Sequence, residues 1–421
     1  MDLFISVKAV KPFENHEQWN AVKEVCLRLN EAGFEALLAG GCVRDMIMGR
    51  EPNDFDVATS ATPDQVEALF PKSVGVGKAF GVMILPFEGF QVEVATFRED
   101  LEYKDGRRPE GVRFSTAQAD SKRRDFTVNA LFFDPLKNQV IDYIDGQKDI
   151  QRKLLRTVGL ANHRFDEDKL RLLRAVRFAA QLDFDIEHET LQAVIERSSE
   201  VGVVSRERIR DELLKLLHTP KRLKGLMLLL STGLLSGAFP ESAPFILEEE
   251  TNWLKRFEFV KPSESDAVLL ALFFYPVFKR TGEQDFKNRH LKTLKLDTAI
   301  SNEIVHLLNN VESVLKPSEI RKGELAETLF DAKSTHLKEF GDVLAKTENA
   351  VESDRVQWIE TVTQTAAPYR EAFLNGADLK AIGMQPGPRM GEILREAQLL
   401  QYEGILTSRD AALNWLGQQK T

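Results

Sequence analysis

Apolar positions in the first part of the chain change period repeatedly, and each change marks an element. Trp19, Val22, Val25, Cys26 and Leu29 recur at helical spacing and Gly33 closes the run, which predicts an amphipathic helix over 16–32. Leu37 to Ala39 is a short apolar strand ending in Gly40-Gly41. Val43 to Met48 then reads as a short helix carrying Arg44 and Asp45; Gly49 stops it and Pro52-Asn53 turn the chain. A second strand follows, with Asp54 and Asp56 on it. Side chains alternate along a strand, so both carboxylates project from one face. Thr62 is placed to cap a further helix with Pro63 at its first position, running to about Phe70. Short strand patterns follow at Ser73 to Val76, Gly81 to Pro86 and Phe90 to Arg98. In the last of them Glu93 is a lone acid between valines.

From Arg98 to Phe114 the period is lost in charge, glycine and proline, which reads as a mobile loop. Lys122-Arg123-Arg124 then precede Asp125 and a helix-compatible apolar run containing Asn129. Phe132-Phe133 and Val140 to Tyr143 form a closing hairpin pattern. From about Asp149 the pattern is helical to the end. The shift predicts an α+β molecule, a head with a mixed sheet followed by an all-α remainder. His163 to Phe178 reads as one helix, opened by Phe165 or Asp166, with Leu170, Leu173, Val176 and Phe178 toward the core. Glu167, Asp168, Arg171 and Arg174 then fall near one face. Ser205 can cap the next helix. Pro386-Gly387-Pro388 opens a late helix bearing Arg389. Phe273, Phe274 and Tyr275 read as core, and His290, His306 and His336 as structural.

Composition narrows the class. The 421 residues suffice for two to four domains. A net charge of −9 argues against nonspecific coating of nucleic acid, but a local basic groove remains compatible with it. The richest basic window is Arg206 to Lys224, which includes Lys221 and Arg222 and suits the nucleotide triphosphate, RNA phosphates or a solvated helix face. Two cysteines, Cys26 and Cys42, make no disulfide framework or zinc cluster and suit a reducing, cytoplasmic setting. No apolar run is long enough to span a bilayer, and the first residues do not read as a signal peptide.

The chemistry concentrates at few positions. Two carboxylates side by side repel each other unless a cation lies between them, and magnesium is the usual one. Glycines let backbone approach a ligand, and amides at a helix start favour phosphate. Arginine forks such as Arg124 bind triphosphate bidentately. An amide such as Asn129 can meet a ribose hydroxyl. A carboxylate accepts and a guanidinium donates, so Asp168 with Arg171 would suit the amine and ring nitrogen shared by cytosine and adenine, and would oppose guanine and uracil. The bland alternatives are solvent-facing acids, a tight turn and a salt-bridged helix face.

The strings G-G-C-V-R-D, D-F-D, V-E-V-A-T-F, R-R-D-F-T-V-N-A and E-D-K-L-R, with G-A-D-L and P-G-P-R-M-G-E-I-L-R near the end, resemble the class II nucleotidyltransferases that build the tRNA CCA end, and the related bacterial poly(A) polymerases. The resemblance runs from about Leu37 to Trp415. It implies a polymerase-β-like nucleotidyltransferase head (1–150), a helical neck that chooses the base (151–220), a body (221–330) and a tail that contacts tRNA (331–421). It implies template-independent addition of C, C and A to the tRNA 3′ end from CTP and ATP. Asp54, Asp56 and Glu93 would hold two Mg²⁺. Gly40, Gly41, Arg44, Arg124, Asp125, Asn129 and Arg174 would bind nucleotide. Asp168 and Arg171 would contact the base, with Glu167 orienting Arg171. Lys221, Arg222 and Arg389 would meet RNA, and the loop within 98–110 would serve the addition of A. A poly(A) polymerase, an A-adding enzyme and a non-catalytic RNA binder are the alternatives; the oligomeric state is not indicated.

Overall fold

In a computed structural model, the described residues are 16, 18–100, 111–261, 265–347 and 352–419. The chain divides into two compact units, Met1–Ala238 and Phe239–Thr421. Most of the expected loop, residues 101–110, lies outside the described residues. No described helix is long and apolar enough to cross a membrane.

Up to Ile141 the strands of the first unit are β1 (Ala36–Ala39), β2 (Val57–Thr59), β3 (Val74–Gly77), β4 (Val82–Pro86), β5 (Gln91–Thr96), β6 (Arg98–Asp100), β7 (Val112–Phe114), β8 (Phe132–Asp134) and β9 (Gln139–Ile141). Seven of them form one mixed sheet in the order β3-β4-β5-β2-β1-β8-β9, in which β2 and β5 are parallel and the other pairs antiparallel. The remaining two, β6 and β7, pair as a separate ribbon. The helices are α1 (Trp19–Glu31), α2 (Gly41–Ile47), α3 (Pro63–Leu69), α4 (Ala117–Arg123), α5 (Gly146–Arg152), α6 (Ala161–Glu167), α7 (Leu170–Leu182), α8 (His188–Glu196), α9 (Arg206–Leu217), α10 (Arg222–Ser231) and α11 (Leu234–Ala238). The buried side of α1 is the predicted stripe, Trp19, Val22, Val25, Cys26 and Leu29. Thr62 caps α3 reciprocally with Gln65, and Pro63 opens it.

Four expectations need correction. Asp54 and Asp56 precede β2, which begins only at Val57. The extended pairing nevertheless continues, since the Ala39 amide donates to the Asp56 carbonyl at 3.0 Å. The helix read over 163–178 is two helices, α6 starting at Ala161 and α7 at Leu170, broken at an extended Asp168. The remainder is not wholly helical: Leu154–Leu155 and Asp185–Ile186 form a small parallel pair. The run after Asp125 is a 3₁₀ turn, Thr127–Asn129, rather than an α-helix.

The second unit is helical. Phe273, Phe274 and Tyr275 are buried in its long Asp266–Asp285 helix. His290 bonds Ser242 at 2.9 Å, and His306 bonds Ser334 at 2.8 Å, so both serve packing. His336 bonds Glu303 at 2.5 Å. A small core of Leu374, Leu379, Met390, Ala397, Leu406 and Leu416 holds the last helices together. Among them is Pro388–Tyr402, which starts after Gly387 as the Pro/Gly pattern requires.

Candidate active site

The two aspartates owe their direction to the residue between them. Phe55 is 1% exposed and packs edge-on against Trp19, with ring centroids 5.7 Å apart. Burying that ring contributes about 1.5–3 kcal/mol. Alternation then turns Asp54 and Asp56 to the other face. On β5, Val92 and Val94 are buried and Glu93 is exposed, by the same alternation. Val57 lies opposite Val94 in the parallel register, so one residue earlier Asp56 comes alongside Glu93. Burial, then the charges of Glu93 and Asp54, push the Asp56 carboxyl up to about 7 against the pull of Arg124. Partial enclosure of its carboxyl, then the charge of Asp54, also raises Glu93, with Arg98 opposing.

All three acids line one cavity of about 660 Å³. Among the described residues, no three of His, Cys, Asp or Glu close around a point as a metal cage does. A set of hard oxygen donors gathered loosely suits magnesium, which keeps waters and takes further ligands from substrate phosphates.

Beside the acids, just after the Ala39 amide that bonds Asp56, the chain makes a close approach. Gly40 has φ 78°, ψ −128°, and a Cβ there would lie 3.0 Å from Arg124 Nη1. Arg124 is held by Asp120, a carboxylate that is itself 1% exposed. Burial alone would raise Asp120, but Arg124 and Arg123 bring it below the usual carboxylate range. Arg44, on α2, forks to Asp45 at 2.9 Å and donates to Asn129 Oδ1 at 2.6 Å. Asn129 Nδ2 in turn donates to Asp125 Oδ1 at 3.2 Å. Arg174 grips the other Asp125 oxygen at 2.9 and 2.5 Å. Burial would raise Asp125, yet the charge and hydrogen bonds of Arg174, with Arg171 and the Phe126 amide, hold it at about 2. Arg44, Asn129, Asp125 and Arg174 are therefore one ordered network from α2 to α7.

The break between α6 and α7 presents the last group. Asp168 takes the Leu170 amide at 3.0 Å and so starts α7. Arg208 of α9 holds Asp168 at 2.6 and 3.2 Å. Arg171 pairs with Glu167 and donates to the Arg164 and Arg123 carbonyls at 2.9 and 3.2 Å.

The 660 Å³ cavity collects Gly40, Gly41, Arg44, Arg124, Asp125, Asn129, Asp168, Arg171 and Arg174 along with the acids. Glu167 lies behind it, in a neighbouring recess with Arg164. Arg222, expected to face RNA, is 5% exposed, and its Nε donates to the Thr219 carbonyl at 3.4 Å. Its place on a helix flank turned to the core removes it from an RNA surface. Lys221 stays exposed beside Asp183 at 3.7 Å. Arg389 is exposed in the second unit. Sequence reasoning did not single out Arg98, Arg123, Arg177, Phe178 and Gln181 as site residues, yet they line the cavity. Arg177 and Gln181 recur every three or four residues after Arg171 and Arg174, and that spacing was a usable signal.

A family model described as the poly A polymerase head domain matches residues 36–156. A second, described as a probable RNA and SrmB-binding site of polymerase A, matches 183–246. The CCA-adding enzyme of Lactobacillus johnsonii is 33% identical over 413 residues, 94% of this chain and 96% of its own. That of Geobacillus thermodenitrificans is 45% identical over 230 residues, 54% of this chain and 55% of its own. The crystal structure of Bacillus stearothermophilus CCA-adding enzyme in complex with CTP superposes with a TM-score of 0.79 at 27% identity, over 96% of this chain and 98% of that one.

Proposed function

The chain belongs to the CCA-adding enzyme family, and from that membership and its site we infer that it completes tRNA 3′ ends, adding C, C and A from CTP and ATP without a nucleic-acid template. One observation carries the reaction: three carboxylates, a rank of arginines and the Asp168–Arg171 break share a single cavity. The acids suit catalytic metal, the arginines suit triphosphate, and the break suits a base.

We assign the metal-holding role to Asp54, Asp56 and Glu93. They would hold two magnesium ions, and the chemistry these would supply is activation of the 3′ hydroxyl and stabilisation of the departing pyrophosphate. Arg124 meets the triphosphate, and Gly40 and Gly41 leave its approach open. Asn129, fixed between Arg44 and Asp125, meets the ribose. Asp168 accepts from the base amine and Arg171 donates to the ring nitrogen, so G and U meet like groups, at roughly 1–3 kcal/mol per lost pairing. Lys221 and Arg389 contact RNA. Residues 1–150, 151–220, 221–330 and 331–421 serve as head, neck, body and tail. The buried unpaired thiols of Cys26 and Cys42 support a cytoplasmic setting.

The test is tRNA lacking CCA, incubated with each nucleoside triphosphate alone and in mixtures, with products resolved to one nucleotide. CTP alone should add two residues, and CTP with ATP should stop at C-C-A. A ladder of A residues identifies a poly(A) polymerase instead, and activity only on tRNA ending in C-C identifies an A-adding enzyme.

A further inference from the structure

The second unit carries a groove that none of the roles above uses. It occupies about 400 Å³ and is lined by Lys287, Lys292, Lys295, Asn288, Ser301 and Asn302 over an apolar floor. Its described lining includes no carboxylate and no aromatic ring. That is unusual for a chain whose net charge is −9. Acids do stand nearby: Glu283 pairs with Lys287 at 3.4 Å, and Asp285 with Arg289 at 3.3 Å.

The backbone beneath these lysines departs from regular helix twice. Phe286–Leu291 is a π-helix, and Lys295 sits in the left-handed region at φ 51°. Both conformations are costly and cluster at functional positions. The π-helical repeat brings residues five apart toward one side, and Lys287 and Lys292 are five apart. In an α-helix, with its 3.6-residue turn, they would diverge. The irregular turn is thus what lets the lysines line one groove, while Phe286 and Leu291 stay buried beneath.

We propose that this groove seats a stretch of the tRNA phosphodiester backbone, a reading that rests on the proposed function. Three ammonium groups suit phosphates as point charges. Two amides and a hydroxyl suit phosphate and sugar oxygens, and the missing aromatic rings leave bases nothing to stack on. The contact is therefore with backbone and indifferent to sequence. It lies well outside residues 183–246, which match the RNA-binding family model.

The experiment compares full-length wild type with Lys287→Gln/Lys292→Gln/Lys295→Asn, asparagine being chosen because it tolerates the left-handed region. Lys261→Gln/Lys316→Gln/Lys322→Gln, on exposed lysines of the same unit outside residues 331–421, controls for net charge. Dissociation constants for tRNA lacking CCA are measured from low to moderate KCl, with melting and CTP binding recorded in parallel. The groove variant should keep its melting and CTP affinity, and the slope of log K against log salt should flatten by about 2–3. The control should keep most of the wild-type slope. An unchanged slope in the groove variant, or equal flattening in the control, overturns the proposal, as does loss of CTP affinity with tRNA binding intact. Should wild type bind tRNA yet add no nucleotide, the enzymatic reading fails while the salt slopes still decide the groove.

Discussion

Arg208 holds Asp168 through two hydrogen bonds, at 2.6 and 3.2 Å, across forty residues of sequence. Arg171, three residues from Asp168, turns instead to Glu167. The acceptor and the donor proposed to read the base are therefore fixed by separate partners. A carboxylate has about four lone-pair sites, so Asp168 can keep Arg208 and still accept from a base amine.

Replacing Arg208 by alanine should free Asp168 to rotate and weaken the discrimination that depends on it. We expect UTP incorporation relative to CTP to rise about tenfold, near the low end of one lost base pairing. Arg208→Lys should recover part of the loss. Competition assays with mixed nucleotides read the ratio directly. An active Arg208→Ala enzyme with unaltered selectivity would mean that Asp168 keeps its pose unaided.

The two glycines of the G-G pair should respond differently to alanine. At Gly40 the positive φ strains any side chain, and the new Cβ would press on Arg124 Nη1. At Gly41 the nearest atom to a new Cβ is Arg44 Nη2, at 3.6 Å, which is ordinary contact. Gly40→Ala should cost about 1–3 kcal/mol and raise KM for both nucleotides, whereas Gly41→Ala should cost less than 1 kcal/mol. Thermal melts and steady-state kinetics of the pair check this.

How much of this was legible in sequence depends on how local each feature is. The carboxylate face, the Thr62 cap and the exposed Glu93 follow from alternation and neighbours, so they could be read from the chain itself. The break at Asp168 could not. Leu170, Leu173 and Val176 continue the apolar period into α7, and the interruption involves a partner from α9. The basic window over 206–224 was legible only as charge, for a related reason. Arg208 is spent on Asp168, Arg206 on the Ala238 carbonyl, and Arg222 is buried. Counting charges cannot show which of them the fold consumes.

Asn129→Ala should do two things. It removes the acceptor of Arg44, a guanidinium only 4% exposed, at a cost of about 1–3 kcal/mol. It also removes the amide proposed to meet the ribose, so preference for ribonucleotides over deoxyribonucleotides should fall. The ratio of CTP to dCTP incorporation is the measurement. A destabilised variant with intact sugar preference would confine Asn129 to holding the network.

Asp56 gives a prediction with a definite sign. Its carboxyl titrates near 7 in the metal-free fold, against an ordinary 3.8. The fold thus favours the protonated form. Its contribution to stability is full below about pH 4 and is lost as pH rises through about 7. At pH 8 without metal, wild type carries a penalty that Asp56→Asn lacks. The variant should be more stable there by roughly 1–3 kcal/mol, a rise in melting temperature of about 2–9 °C. At pH 4 the difference should shrink toward zero. Magnesium should raise the melting temperature of wild type at pH 8 and leave the variant nearly unmoved, while nucleotide addition by the variant is abolished. Melting scans at the two pH values, with chelator and with magnesium, test every part. A variant less stable than wild type at pH 8 in chelator would show that Asp56 is held ionised by its surroundings, and the crowding of Glu93 and Asp54 around it would lose its energetic meaning.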